Sequence, residues 1–387
     1  MREAVIVDAA RVPSGKRNGM LKDWHPVDLA AEPLRALMER TRLDPHLVED
    51  VIMGCVMQTG EQSANVGRNA ALAAGFPEEV VGTTIDRQCG SSQQAAHFAA
   101  QGVMAGAYDV VIAGGVESMT RIPMGITMQQ GPGVPFGPRM TERYANGLVP
   151  QGISAEMIAD KWSLTREELD MLGYNSHVRA ARATDEGRFE KEIVPIEVKQ
   201  EDGTTELVRV DEGIRWDTSM EQLGALKPVF KPGGVVTAGN SSQIADGAAA
   251  VLIMAADKAE ELGLEPMARF VAFALAGVDP VTMLTGPIPA TAKVLDRAGL
   301  SIDDIDLFEV NEAFAAVPGA WLREYPVDHE KLNVNGGAMA LGHPLGCSGA
   351  KLLTTLVHEL ERSGSRYGLQ TICEGGGMAN ALIVERV

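Results

Sequence analysis

An α/β fold built from two similar halves is what the sequence predicts, and three observations predict it. Short apolar runs of strand length alternate with helix-like stretches. A strand–turn–helix–strand plan in the first third of the chain returns near the carboxy terminus. Between the two copies, from about Arg121 to Gly239, the composition changes as it does in an insert.

Taken in order, Ala4–Val7, Val51–Met53, Val110–Ala113, Val251–Met254 and Ala381–Val384 read as buried strands, because each is a short, continuous apolar run. Cys89-Gly90-Ser91-Ser92 opens an Ala/Gln-rich helix that leads to a strand Asp109–Ala113, closed by Gly114-Gly115. The second copy runs from Gly342-His343-Pro344-Leu345-Gly346-Cys347-Ser348-Gly349 into a helix Ala350–Glu361. It continues to a strand Leu369–Cys373, the turn Gly375-Gly376-Gly377 and a last strand. Leu307–Glu312 occupies the place in its half that Asp50–Cys55 occupies in the first. The insert shows a Gly/Pro-rich stretch, a helix Ser154–Trp162, a cap at Thr165 with Glu168 three residues on, and a polar hairpin in Glu192–Val210. These features divide the chain into a first half, 1–120 with 240–266, a loop domain 121–239 that supplies substrate contacts, and a second half 267–387.

Bulk properties narrow the function. The chain has 387 residues, and 52 acidic against 34 basic side chains give a net charge of −18. A nucleic-acid or anionic-membrane partner would need a concentrated cationic face, so neither is expected. Four scattered cysteines, Cys55, Cys89, Cys347 and Cys373, include no C-x-x-C pair; they suggest no metal site and fit a reducing, cytoplasmic setting. The opening MREAVIVDAARVPSGK reads as a strand rather than a signal peptide, and no segment is long and apolar enough to span a bilayer. The sequon at Asn240 then has no bearing on glycosylation.

Four residues can carry chemistry. Cys89 lies between a strand and a helix, where unpaired N–H groups and the helix dipole are expected to lower its pKa toward thiolate. His343 lies at the matching turn of the second half and can take a thiol proton or donate to an oxyanion. Cys373 precedes Glu374 and three glycines whose backbone can approach a ligand closely. Asn311, at the end of the strand Leu307–Val310, can fix a water or a carbonyl. Each alone has an ordinary structural explanation, but all four fall at strand ends in symmetry-related halves, where α/β folds place ligands.

The residues now on the page resemble the thiolase family, from the opening Ala9-Ala10-Arg11-Val12-Pro13-Ser14-Gly15-Lys16 to the final strand. Cys-Gly-Ser-Ser at Cys89, Asn-Glu-Ala-Phe at Asn311, Asn-Val-Asn-Gly-Gly-Ala from Asn333, Gly-His-Pro-Leu-Gly at His343 and Cys-Glu-Gly at Cys373 stand where that family has its signature blocks. The resemblance implies two mixed-sheet halves in α-β-α-β-α layers with an inserted loop domain. It implies that Cys89 attacks the 3-keto carbonyl of a 3-ketoacyl-CoA, that Cys373 moves the proton to or from carbon, and that CoA releases the shortened acyl group. His343 and an Asn311-held water would form one oxyanion hole, and the N–H groups of Cys89 and Gly375 another. For the CoA arm it implies Ala238, Ser242 and Phe314, with Arg215 at the nucleotide end. CoA is then a substrate, no cofactor is needed, and the chain is a homodimer or homotetramer, with a hydratase or dehydrogenase as a possible partner.

Short-chain biosynthetic members carry a His-Met pair where this chain has Pro150-Gln151 before Gly152. Cys347 and the ending Val384-Glu385-Arg386-Val387 are similar to degradative members. The implied reading is a degradative 3-ketoacyl-CoA thiolase acting on fatty or steroid side chains. A biosynthetic acetoacetyl-CoA thiolase and a non-catalytic acyl-CoA or sterol carrier stand as alternatives. A decarboxylating ketoacyl synthase shares the duplicated fold but lacks an equivalent of Cys373.

Overall fold

The computed structural model describes residues 2–129, 131–200 and 202–387. The first half begins with β1 (Ala4–Arg11) and the short β2 (Gly15–Lys16), followed by β3 (Asp50–Gly54), β4 (Val81–Ile85) and β5 (Val110–Ser118). The insert contributes β6 (Ile196–Lys199) and β7 (Thr205–Val208), an antiparallel pair where the polar hairpin was expected. The chain then returns to the first sheet as β8 (Ala245–Ala255). The second half holds β9 (Ala268–Gly277), β10 (Leu307–Val310), β11 (Tyr367–Glu374) and β12 (Met378–Arg386).

Strand order makes the duplication visible. The full path is β10-β11-β12-β9-β1-β8-β5-β3-β4, in which β4-β3-β5-β8-β1 is the first sheet and β10-β11-β12-β9 the second. Each half joins its inner strands in parallel and closes with antiparallel ones: β3 with β5 and β10 with β11 are parallel, while β5 with β8 and β11 with β12 are antiparallel. The counterpart of β4 is reduced in the second half to one bridge, Phe308 to Leu332. There the Asn333 side chain substitutes for a strand, accepting from Val310 N–H and donating to Val310 O, both at 2.9 Å. The two sheets meet at only two residue pairs, Val5–Arg269 and Ile6–Ala268.

Three apolar layers explain the α-β-α-β-α stacking. The helices Ser91–Ala105 and Ser348–Ser363 lie between the sheets, and Ala95, Ala96, Ala99, Leu353 and Leu356 share one core with Ile6 and Val251 of one sheet and Leu382 and Val384 of the other. The helices Pro26–Thr41 and Val66–Ala73 cover the outer face of the first sheet. The helices Pro287–Ala298 and Ala316–Glu324 cover that of the second. Strands buried on both faces read as unbroken apolar runs, which is why they were legible.

Two expectations shift. The strand expected to close at Gly114-Gly115 continues through both glycines to Ser118; a Cβ on Gly115 would sit 2.2 Å from Gly346 O, so glycine marks a close approach of the halves rather than a strand end. The first of the two helices expected in the insert begins at Gln151, three residues before Ser154. The second, Arg166–Asp185, starts on the expected capping box of Thr165 and Glu168. Among the described residues no helix is long and apolar enough to cross a membrane.

Candidate active site

Cys89 stands on a strained turn. β4 ends at Ile85, Gln88 takes a left-handed φ of +48°, and the helix Ser91–Ala105 begins two residues after Cys89. The turn is fixed locally: Ser91 Oγ accepts from Arg87 N–H at 2.9 Å and donates to Gln88 O at 2.6 Å. Cys89 is buried in an apolar cluster with Val56, Met57, Met119, Ile122, Leu345 and Ile372, so both halves and the start of the insert touch it. The backbone N–H groups of Gly375 and of Cys89 itself lie near its sulfur and favour the thiolate.

The thiol nonetheless departs from the sequence expectation. Burial, and then the carboxyl of Glu374, push Cys89 up to about 12, outweighing the two backbone N–H groups that pull it down. At neutral pH it rests as a thiol. Cys373, fully buried at the end of β11, is pushed well above the usual thiol range by burial, by Cys89 and by Glu374.

His343 rests neutral as well. Burial, with the charge of Lys351 adding to it, lowers His343 to about 3. Its Nδ1 lies 2.6 Å from Ser348 Oγ, and that hydroxyl donates to Pro344 O at 2.8 Å. With the only hydroxyl proton committed, Nδ1 must carry the ring proton and Nε2 holds the lone pair. Nε2 faces Asn311 Nδ2 at 3.4 Å, and Asn311 is itself held by its N–H bond to Thr371 O at 3.1 Å.

Glu117 draws the turns together. Its buried carboxylate accepts from Val56 N–H, Met57 N–H and Gln62 of the first half and from Gly346 N–H of the second. The Ser92 hydroxyl, in the first turn of the helix Ser91–Ala105, accepts from Ala350 N–H at 2.9 Å. Cys89, His343, Asn311, Cys373 and Gly375 are thus gathered at the join of the halves. Neither Glu117 nor Ser348 carried a distinctive sequence signal beyond lying in or beside a Gly-rich block.

Of the expected CoA contacts, Ala238, Ser242 and Phe314 lie along one strip. Ser241 pairs with Phe314, Ser242 N–H donates to Ala313 O at 3.0 Å, and the exposed Ala238 starts the short helix ending at Asn240. Arg215 is exposed and anchored elsewhere, its N–H donating to His177 Nδ1 at 3.1 Å. Among the described residues no hydrogen bond joins it to that strip.

Two family models match the chain: the thiolase N-terminal domain over residues 4–257 and the thiolase C-terminal domain over 264–386. A steroid 3-ketoacyl-CoA thiolase of Mycobacterium tuberculosis is 50% identical over 393 residues, covering 100% of this chain and 95% of the relative. A 3-ketoacyl-CoA thiolase of Psychrobacter cryohalolentis is 49% identical, covering 100% and 98%. Among solved structures, human mitochondrial 3-ketoacyl-CoA thiolase is 39% identical and Bacillus anthracis acetyl-CoA acetyltransferase 41%; each has a TM-score of 0.91 and covers 100% of this chain and 99% of its own.

Proposed function

The chain belongs to the thiolase family, and from that premise we propose that it is a degradative 3-ketoacyl-CoA thiolase, an acyltransferase that cleaves 3-ketoacyl-CoA with CoA into acetyl-CoA and a shortened acyl-CoA. The observation that carries the reading is the gathering of Cys89, the Asn311–His343 pair and Cys373 at the join of the two halves. It occurs in a chain half-identical, over its full length, to a steroid 3-ketoacyl-CoA thiolase.

In this reading His343 Nε2 takes the Cys89 proton, and the thiolate attacks the 3-keto carbon. The bond between the second and third carbons breaks, leaving an acyl group on Cys89 and the enolate of acetyl-CoA. The enolate oxygen is stabilised by the His343 imidazolium and by a water on Asn311, and the Cys373 thiol protonates the enolate carbon. The N–H groups of Cys89 and Gly375 hold the oxygen that develops on the carbonyl attacked by Cys89. The Cys373 thiolate then removes the proton of an incoming CoA thiol, whose sulfur takes the acyl group. The departing Cys89 sulfur recovers its proton from His343, so both cysteines end as they began.

CoA is a substrate here and no resident cofactor takes part. Ala238, Ser242 and Phe314 would hold its pantetheine arm and Arg215 its nucleotide end. We retain the division into 1–120 with 240–266, 121–239 and 267–387 as the working domain scheme, and a cytoplasmic homodimer or homotetramer as the working assembly; β4, an edge strand with exposed Val81, offers a surface for it. The Bacillus neighbour keeps one alternative in view, a preference for acetoacetyl-CoA.

One experiment tests both levels. Purified wild type, Cys89→Ser and Cys373→Ser are given 3-ketoacyl-CoAs from acetoacetyl to long-chain and steroid-derived thioesters, and acyl-enzyme and turnover are followed by mass spectrometry and CoA-dependent substrate loss. Cys89→Ser should form no thioester. Cys373→Ser should fall by at least about 100-fold in turnover while still reaching the acylated state with acyl-CoA. Wild type should prefer the longer thioesters. Unimpaired acylation of Cys89→Ser would refute the mechanism, and preference for acetoacetyl-CoA would replace the degradative reading by the biosynthetic one.

A further inference from the structure

Behind His343 lies a buried charged residue that the mechanism does not use. Lys351 sits one helical turn past Ser348, with its side chain 5% exposed. An ammonium has three donors, and all three have acceptors: Ser14 Oγ at 2.8 Å, Leu341 O, and Gly342 O at 3.3 Å. Those two carbonyls belong to the residues immediately before His343. Only glycine fits the residue before His343: Gly342 has φ +80°, and a Cβ there would lie 2.6 Å from that of Ala245.

Charge balance accounts for a buried cation here, the second one facing Asp211 and Glu192, but not for where its hydrogen bonds go. The nearby carboxylates Asp211 and Glu192 are already bound by Arg11, whose guanidinium reaches Asp211 through two N–H groups at 2.8 and 3.0 Å and Glu192 through Nε. Thr355 supplies Glu192 with a further donor. Two cations and two carboxylates leave no surplus charge among these four, and burial with neighbouring carboxylates raises Glu309, which also faces Lys351, well above the usual carboxylate range. Lys351 directs its own hydrogen bonds at the His343 turn. Beside it a cavity with room for about one water is lined by Glu309, Asn311, Ser348 and Lys351.

We infer that Lys351 is a positioning residue for the reaction: it clamps the Leu341 and Gly342 carbonyls and so holds His343, through its turn and Ser348, against Asn311. The inference rests on His343 being the base for Cys89. The charge of Lys351 also disfavours the imidazolium, so the ring is poised as a neutral acceptor.

The test compares full-length wild type with Lys351→Met, Lys351→Arg and Ser14→Ala. It measures thermal midpoint, the rate of Cys89 alkylation by iodoacetamide, and kcat and KM for CoA-dependent cleavage of a 3-ketoacyl-CoA. Misplacing a base by a fraction of an ångström costs rate rather than binding, so Lys351→Met should alkylate and turn over about 10- to 100-fold more slowly with KM within about threefold. Lys351→Arg, which keeps charge and donors, should recover part of that loss. Ser14→Ala, which loosens the lysine and leaves every charge in place, should show a smaller loss of the same kind. Wild-type alkylation and kcat in folded Lys351→Met, or in Ser14→Ala should the former not fold, would overturn the clamp. So would a loss expressed in KM alone. A wild type whose Cys89 neither alkylates nor acylates would instead overturn the underlying reading, which keeps the two failures apart.

Discussion

At the residue scale, burial governs how the site titrates. The same desolvation that raises Cys89 lowers His343, so both rest neutral; in the proposed mechanism charge would appear as the proton moves between them. Glu374 is the third member of this set. Its oxygens have no hydrogen-bond partner, and one of them would lie 2.1 Å from a Cβ on Gly90. Burial, with Asp86 adding and Arg87 opposing, pushes it up to about 8. A carboxyl raised from 4.5 to about 8 on folding contributes stability that is complete below 4.5 and is lost as pH rises through 8. Glu374→Gln does not titrate, so its stability relative to wild type should improve by on the order of 3 kcal/mol between pH 5 and pH 8. Chemical denaturation of both proteins at the two pH values reads this directly, and a pH-independent gap would mean that Glu374 is already ionised in the folded state. The identities of these residues were legible, since Cys89, His343, Asn311 and Cys373 each stood in a recognisable block. Their protonation was not: the helix-start argument for a lowered Cys89 pKa took no account of an apolar cluster assembled from Val56, Ile122, Leu345 and Ile372.

At the element scale, the site depends on how closely two helices pass. Ser91–Ala105 and Ser348–Ser363 follow Cys89 and His343, and a Cβ on Gly349 would stand 2.1 Å from Gln93 N. Backbone, unlike the end of a flexible side chain, cannot turn aside. Gly349→Ala should therefore push the helices apart, costing about 1–3 kcal/mol of stability and lowering kcat with it. Urea unfolding and steady-state kinetics on the same preparation check both, and a fully stable, fully active variant would show that the crossing has slack. Elements set by local chemistry were readable in advance. Thr165 and Glu168 close a capping box within four residues, and the polar hairpin pairs strands only five residues apart. The extension of β5 through Gly114 and Gly115 was not readable, because Gly115 answers to Gly346, more than two hundred residues away, and Gly114 to Ala249 on the neighbouring strand.

At the scale of the whole molecule, the insert is tied to the sheets by buried charge. Arg11 of β1 holds Glu192 and Asp211 with no exposed surface on its side chain, and Glu192 O accepts from Arg11 N–H at 2.9 Å as well. Arg11→Met would leave two carboxylates buried with Lys351 as the remaining nearby cation, so unfolding should become easier by about 3–5 kcal/mol. A thermal midpoint equal to that of wild type would show that the insert is anchored by other contacts. What the sequence by itself determined is the α/β class, the repeated strand–turn–helix–strand plan and the thiolase blocks in which the candidate site residues stand. Each is written in apolar runs, turn residues and motif blocks that lie within a few residues of one another. Only the tertiary structure decided that the two sheets share a seam of two residue pairs, that Asn333 replaces a strand, that Ser348 orients His343 and that Lys351 grips the turn before it. Those facts depend on which distant groups burial forces together, and on the requirement that every polar group taken out of water find a partner there.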